Sequence, residues 1–358
     1  MKAWVLHGIN ELYLEDVPMP SPGTGEVLVE VKAAGICGSD IPRIYRTGAH
    51  THPLIPGHEF SGRVVELGKE ADRRWLGQRV GIFPLIPCRQ CGPCRKRQYE
   101  MCRNYSYLGS RRDGGFAEYA VVPEWNLLPL PEQAGFEEAA MLEPMAVAVH
   151  AMRQMMPGLS LAVKDRHSEI IGVYGLGTIG LLLLMFLKGE GFEHVYGIGN
   201  KKIQKETALK LGLKKEEYCA SKDQDPYEWL MERTDGAGVD LFFECVGRNE
   251  TCSLAVKSAA PAGRVTLVGN PYSDMTLEKD IYWRILRNQV TVTGTWNSSF
   301  LHEPEDDWNY VLGQLAKGGI SPESLISHRF SLENLEEGMR LMRDKTAGYV
   351  KIMGRMER

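Results

Sequence analysis

Short apolar runs broken by proline and glycine fill the first third of the chain. Residues 1–34 alternate such runs with Pro18, Pro20, Pro22 and Gly23, a texture that predicts short antiparallel strands. Runs at 60–67, 78–83 and 115–122 continue it, so a compact, loop-rich β domain is expected. The pattern changes at Ser168. Residues 169–174 read as a buried strand, Gly175-Leu176-Gly177-Thr178-Ile179-Gly180 follows, and an apolar helix runs on to about Lys188. Further strands are predicted at 194–198, 239–245, 264–269 and, last, 290–295, with helical patterns at 201–211, 227–234 and 251–260 between them. Strands alternating with helices, joined by right-handed crossovers, predict an α/β doubly wound parallel sheet. The tail adds a helix at 308–317 and short segments ending at 350–353. No internal repeat or low-complexity segment is present.

Composition narrows the function classes. The chain has 358 residues, 43% hydrophobic and 25% charged, enough for two or three domains of ordinary globular character. A net charge of −4 argues against nucleic acid, whose binding needs concentrated positive charge. The one basic cluster, Arg95-Lys96-Arg97, reads as a solvated loop. Glu11, Glu15 and Asp16 interrupt the place where a signal peptide needs an apolar run, and the run Leu181-Leu182-Leu183-Leu184-Met185-Phe186 is too short to span a bilayer. A soluble, cytoplasmic protein is expected. Eight cysteines in such a chain point to metal or thiol chemistry rather than to a disulfide framework.

The cysteines concentrate. Cys88, Cys91, Cys94 and Cys102 fall within fifteen positions, and four thiolates so spaced can enclose a zinc ion tetrahedrally. Such a closed all-sulfur shell has no position for substrate, so this metal is expected to brace a loop; an iron–sulfur cluster is the other group four cysteines suit. A second grouping, Gly35-Ile36-Cys37-Gly38-Ser39-Asp40 followed by Gly57-His58-Glu59, offers a thiolate, an imidazole and carboxylates from the loops of one domain. That donor set suits zinc with a free coordination position, although a lone cysteine is as readily a small buried apolar residue.

The glycine pattern Gly175-x-Gly177-x-x-Gly180 lies between a predicted strand and helix, the context that gives it meaning as a dinucleotide site. Gly175 permits the tight turn, Gly177 the approach of a pyrophosphate to the helix N-terminus, and Gly180 close packing of helix on strand, with Leu176, Thr178 and Ile179 completing the loop. The next strand of an NAD site ordinarily ends in an acid that binds the adenosine ribose. Here it ends Gly199-Asn200-Lys201-Lys202, without an acid and with two cations, which favours the 2′-phosphate of NADP(H) slightly over NAD(H). The alternative is that Lys201 and Lys202 begin a solvated helix face.

Taken together, Gly35-Ile36-Cys37-Gly38-Ser39-Asp40, Gly57-His58-Glu59, the four-cysteine lobe, Gly114-Gly115-Phe116-Ala117-Glu118-Tyr119, Leu142-Glu143-Pro144 and the glycine loop resemble, in family order, the zinc-dependent medium-chain alcohol and polyol dehydrogenases. The resemblance implies a GroES-like β-rich catalytic domain at 1–152, completed by 297–358, and a Rossmann nucleotide-binding domain at 153–296. It implies two zinc ions per subunit. Cys37, His58 and Glu143 hold the catalytic one, with Glu59 as rival or exchanging ligand, and Cys88, Cys91, Cys94 and Cys102 hold the structural one. Ser39 then begins a proton relay, Asp40 orients the His58 imidazole, and His50 is a candidate relay or substrate residue. The stretches Pro42-Arg43-Ile44-Tyr45, Gly48-Ala49-His50, Gly109-Ser110-Arg111-Arg112 and Gly294-Thr295-Trp296-Asn297 resemble the members acting on polyol phosphates such as galactitol 1-phosphate. Arg43, Arg111 and Arg112 are the candidate phosphate cations, with Trp296 and Asn297 as candidate lining residues, Trp296 being equally a candidate for the core. Residues 161–167 read as a short insertion. Reversible oxidation of a secondary alcohol to a ketose, in a homodimer or homotetramer paired through the edge at 291–293, is the implied activity. A dehydrogenase of non-phosphorylated polyols, an NADPH-dependent ketone reductase and a non-catalytic zinc or nucleotide-binding relative are the alternatives.

Overall fold

The computed structural model describes residues 1–155 and 168–356; the insertion read at 161–167 lies outside them. The chain divides into two compact units, Met1–Ala146 with Ser298–Arg358, and Val147–Asn297.

The first unit is built on short strands: β1 (Lys2–Gly8), β2 (Glu11–Asp16), β3 (Glu26–Ile36), β4 (Glu59–Leu67), β5 (Arg79–Ile82), β6 (Leu85–Ile86), β7 (Ser106–Tyr107), β8 (Tyr119–Pro123) and β9 (Leu127–Pro129). The returning tail adds two more, β16 (Ile326–Ser331) and β17 (Lys351–Arg355). Its main sheet runs β16-β17-β3-β4-β5-β9, with β8 also paired to β3. The long β3 buries Val27, Leu28, Val29 and Val31, leaves Glu30 and Lys32 half-exposed, and then turns wholly apolar over Ala33 to Ile36, where both faces are covered. Its core side chains pack with Phe60, Val64, Val80, Ile82, Phe116 and Val122, and with Leu335 and Met339 from the helix Leu335–Asp344.

One expectation needs correction here. The strand predicted at 115–122 begins only at Tyr119. Residues 115 and 116 hydrogen-bond instead to the loop before β4, Gly115 N–H to Gly57 O at 2.8 Å and Phe116 N–H to Pro56 O at 3.0 Å. Gly115 lies so close to the Phe60 ring that no Cβ would fit.

The second unit carries β10 (Ile170–Tyr174), β11 (His194–Gly199), β12 (Tyr218–Ala220), β13 (Val239–Glu244), β14 (Ala259–Leu267) and β15 (Thr291–Gly294). They form one parallel sheet in the order β12-β11-β10-β13-β14-β15, the doubly wound topology expected. The glycine loop leads into the helix Thr178–Gly189, whose residues from Gly180 to Leu187 are all buried; this is the apolar run of the sequence, now a core helix. No described helix is long and apolar enough to cross a membrane. Two elements escaped the pattern. Strand β12 is only three residues long, and the amphipathic helix Lys279–Asn288 leaves Tyr282, Trp283 and Leu286 exposed. The helix expected at 251–260 runs over Asn249–Ser258, because β14 already begins at Ala259.

Candidate metal and cofactor sites

Antiparallel pairing of β3 with β4 brings the first cluster together. Gly35 stands opposite Glu59, so the residues just beyond the end of β3 lie beside those just before β4. Cys37 follows β3 and His58 precedes β4; Gly57, at φ +94°, makes the turn in a conformation that favours glycine. One potential ligand atom each from Cys37, His58 and Glu59 lies within 4.8 Å of the others, and His58 and Glu59 are buried.

Around these three the polar groups are ordered. Asp40 is wholly buried and accepts the Cys37 N–H at 2.9 Å and Arg43 Nη1 at 2.6 Å, with His58 Nδ1 3.5 Å away. Burial works to raise the pKa of Asp40, but His58, Arg43 and the Cys37 N–H together hold it below the ordinary carboxylate value. Burial likewise opposes charge on His58, yet Asp40 and Cys37 outweigh it and hold its pKa well above the usual value. Ser39 donates its hydroxyl to Cys37 Sγ at 3.3 Å. Glu143 sits in the first turn of the helix Leu142–Met155, and its Oε1 accepts the Tyr107 hydroxyl at 3.1 Å. Burial, joined by the charge of Glu59, raises its pKa. Glu59, and not Glu143, is the carboxylate within the 4.8 Å group. Glu59 is itself ion-paired to Lys351, also buried.

The donor set fits a divalent cation. Cys37, Asp40, Glu59 and Glu143 are four groups that are negative when ionised, against two fixed cations, Arg43 and Lys351. With all four ionised the shortfall is two positive charges against a neutral His58 and one against a protonated His58, whose positive charge the surroundings favour. Sequence reasoning missed Tyr107 and Lys351. Nothing near Tyr107 marks it, but a lysine inside the apolar run Val350-Lys351-Ile352-Met353 is a signal that was there to be used.

The second cluster is closer to a finished shell. The sulfurs of Cys91 and Cys94 are 3.4 Å apart, Cys91 and Cys102 3.9 Å, and Cys88 and Cys94 4.0 Å. Four sulfurs about 2.3 Å from a central zinc stand roughly 3.8 Å from one another, so the lobe suits that ion. The backbone N–H groups of Arg103 and Cys94 pull the Cys91 thiol down to about 6, while burial pushes Cys94 up to about 12.

In the second unit, Gly175 adopts φ +96° and Gly180 packs so tightly on Gly175 that no Cβ fits between them. Gly177 caps the helix Thr178–Gly189 and faces open space, while Leu176 is buried beneath the loop beside Gly197. Thr178 and Ile179 form the helix's first turn. At the end of β11, a side chain on Gly199 would meet the Tyr218 hydroxyl and Gln204 Oε1. Asn200 donates its N–H to Gln204 Oε1 at 3.4 Å, Lys201 caps the helix Lys202–Lys210, and exposed Lys202 lies 3.7 Å from Glu206.

The candidate substrate residues divide. The charges of Arg111 and Arg43 both reach His50 and, after partial desolvation, help lower its pKa. Arg43 is engaged by Asp40, and Arg111 stacks over Tyr105 at 4.6 Å. Arg112 turns elsewhere, into an ion pair with Glu26 at 2.5 Å, lining a cavity of about 450 Å³ with Pro20 and Asp113. Trp296 is exposed rather than part of the core, and Asn297 ends the second unit with φ +53°.

Residues 23–132 match the alcohol dehydrogenase GroES-like domain family, and residues 178–317 the zinc-binding dehydrogenase family. The chain is 35% identical over 315 residues, 88% of both chains, to galactitol 1-phosphate 5-dehydrogenase of Escherichia coli K12. It is similar to a crystal structure of a zinc-binding dehydrogenase from Sinorhizobium meliloti bound to NADP, with TM-score 0.88 and 27% identity over 99% of this chain and 98% of that one. An Escherichia coli alcohol dehydrogenase complexed with NADH is equally similar, with TM-score 0.88 and 28% identity over 99% of both chains. Two cysteine-bearing clusters, a GroES-like unit and a Rossmann unit therefore have one explanation: the chain belongs to the zinc-dependent medium-chain alcohol and polyol dehydrogenases.

Proposed function

We propose that this enzyme oxidises a secondary alcohol of a polyol phosphate resembling galactitol 1-phosphate to the ketose, reversibly. The observation that carries the reading is the Cys37–His58–Glu59 group, with His58 and Glu59 buried and Cys37 partly exposed. A zinc ion held by Cys37, His58 and Glu143, with Glu59 beside it, supplies a Lewis acid that makes an alcohol acidic near neutral pH. The protein's own groups do the rest. Asp40 holds the Cys37 loop through its N–H and faces the His58 ring, keeping both donors in register. Ser39, whose O–H is directed at Cys37 Sγ, has oxygen lone pairs to accept the substrate proton, and would release its own hydroxyl proton towards solvent by turning that O–H away from the sulfur. His50 is the candidate acceptor, since its lowered pKa keeps the ring neutral at pH 7. The loop from Gly175 to Gly180 would hold the pyrophosphate of a nicotinamide dinucleotide, which would supply the hydride acceptor.

Arg43 and Arg111 are the cations we assign to the substrate phosphate, since both act on His50. Arg112 is committed to Glu26 and has no part in it. The engagement of Arg43 by Asp40 supports a second reading, a non-phosphorylated polyol. NADP(H) is the cofactor we favour: β11 ends at Gly199 without a ribose-binding acid, and Lys201 and Lys202 follow. Edge strand β15 and the exposed Tyr282, Trp283 and Leu286 suit pairing with a second copy, so a cytoplasmic homodimer or homotetramer is proposed. None of the eight cysteines forms a disulfide, in keeping with that compartment.

A turnover screen of galactitol 1-phosphate, galactitol and sorbitol, each with NAD and NADP, tests the reading. Equal efficiency on the three alcohols removes the phosphate site. Replacing Lys201 and Lys202 by alanine should raise the KM for NADP alone; an equal rise for both cofactors removes the preference.

A further inference from the structure

The strand order of the second unit reverses at one place. Chain order runs outward from β10 through β11 to β12 on one side and from β13 through β14 to β15 on the other. The switch point therefore lies between β10 and β13, and sheets of this kind bind ligands in the crevice beyond the carboxyl ends of the strands there. Glu244 ends β13 and stands opposite Tyr174, the last residue of β10 before the glycine loop. The turn that Glu244 leads into lies against that loop: a Cβ on Gly175 would meet Val246 and the backbone carbonyl of Cys245.

Glu244 is 1% exposed and held by uncharged donors alone. Its Oε1 accepts the N–H of Val246 at 2.8 Å, the N–H of Gly247 at 3.0 Å and the Thr251 hydroxyl at 2.8 Å. Oε2 accepts the same Gly247 N–H at 3.1 Å. Thr251 lies in the first turn of the helix Asn249–Ser258, so the carboxylate also sits at that helix's N-terminal end, where negative charge is favoured. Among the described residues no lysine, arginine or histidine is ion-paired with it, and Arg248, close by in the chain, stacks over the Tyr272 ring at 5.2 Å. Dipolar donors satisfy the oxygens without cancelling the charge. Neighbours feel it: burial first, then the charge of Glu244, pushes the thiols of Cys245 and Cys252 up.

A dinucleotide spans both halves of such a sheet. The half from β10 to β12 carries the glycine loop and the strand end that meets the adenosine ribose, so the nicotinamide falls to the half that begins at β13. The oxidised nicotinamide ring carries a positive charge and the reduced ring carries none. We infer that Glu244 is a fixed negative charge of the cofactor crevice that favours the oxidised dinucleotide over the reduced one. The inference rests on the proposed binding of a nicotinamide dinucleotide at the glycine loop. With Glu244 in place, oxidised cofactor is retained and reduced cofactor is released more readily, a step that limits turnover in many enzymes.

The test is equilibrium titration of the full-length enzyme with NADP+ and with NADPH, read as the ratio of the two dissociation constants, with NAD+ and NADH as a second pair. Glu244→Gln keeps an acceptor oxygen for Val246, Gly247 and Thr251 and removes the charge. It should weaken the oxidised form relative to the reduced form by about 5–30-fold, the scale on which one fixed charge acts at the effective dielectric constant of a protein. Glu244→Asp disturbs the same hydrogen bonds but keeps the charge, so the ratio should stay within about twofold of wild type even where both constants rise. An unchanged ratio in folded Glu244→Gln overturns the inference. So does an equal shift in Glu244→Asp, which marks a purely structural role. Cys252→Lys puts a cation at a half-buried position already reached by the charge of Glu244 and should move the ratio in the same direction as Glu244→Gln. If Glu244→Gln does not fold, a ratio unmoved by Cys252→Lys overturns the inference. Failure of the wild-type enzyme to bind either pair removes the dinucleotide assignment itself, a result distinct from binding with an unmoved ratio.

Discussion

The two cysteine-bearing clusters of the first unit answer opposite demands. The lobe of Cys88, Cys91, Cys94 and Cys102 comes from one short stretch and consists of sulfur alone. Its donors already stand at the spacing of a closed tetrahedral shell. The Cys37 cluster is drawn from four separate parts of the chain: the end of β3, the start of β4, the helix bearing Glu143 and the returning strand β17. It holds more carboxylates than a metal needs and two cations that partly satisfy them. A closed shell stabilises; an open one must be kept open.

Removing a donor from each cluster should separate these roles. His58→Ala is expected to abolish turnover, by at least about 10³-fold given the several kcal/mol a metal contributes to transition-state charge, while one zinc per subunit remains. Metal analysis alongside steady-state kinetics checks it, and retention of two zinc ions breaks the comparison. Cys94→Ser should instead cost about 4 kcal/mol or more of local stability, because metal binding there is folding free energy. Limited proteolysis between Cys88 and Cys102, faster than in wild type, is the measurement. Resistance equal to wild type would mean the lobe holds without its metal. Gly35→Ala should be milder, roughly 1–3 kcal/mol by thermal unfolding, since the new methyl overpacks against Glu59 and Lys351. Turnover should fall with it while the lobe zinc stays.

The smallest expected effect comes from a carboxylate outside both clusters. Glu137 bonds to Arg329 on β16 and Arg355 on β17 at the partly exposed rim of the same sheet. Burial works to raise its pKa, but the two guanidinium groups hold it below the ordinary value. Its contribution is therefore present above about pH 4.5 and lost as pH falls through the lower folded value. Glu137→Gln should flatten the acid limb of a stability-against-pH curve by about 1 kcal/mol or less, and leave neutral-pH stability lower by the same amount. A loss as large as that from breaking the buried Lys351–Glu59 pair, about 3–5 kcal/mol for such pairs, would erase the distinction between rim and interior.

Much of this was legible from local spacing. The cysteine lobe, the strand–glycine–helix unit and the apolar run of β3 are encoded within a few residues, and each appears close to where its pattern lies. Boundaries drifted where a neighbour claimed the backbone. Residues 115 and 116 bond to the turn at Pro56 and Gly57, and 117 and 118 to Ala3 and Lys2 of β1, instead of joining β8, and Ala259 leaves its helix for β14. Arg111 and Arg112 are adjacent and both cationic, yet one stacks on Tyr105 and the other is held by Glu26, a difference no composition reveals.

What the chain's order of residues determined alone is the chemistry at hand: which donors exist, how four of them recur within one loop, and where glycine opens a turn for a phosphate. The balance among those donors was decided only in three dimensions. Lys351 lies 292 positions from Glu59, and pairing β17 with β3 is what seats its ammonium beside that carboxylate. Tyr107 meets Glu143 across 36 positions in the same way. Electrostatic energy depends on distance through space and on burial, neither of which is a property of sequence separation.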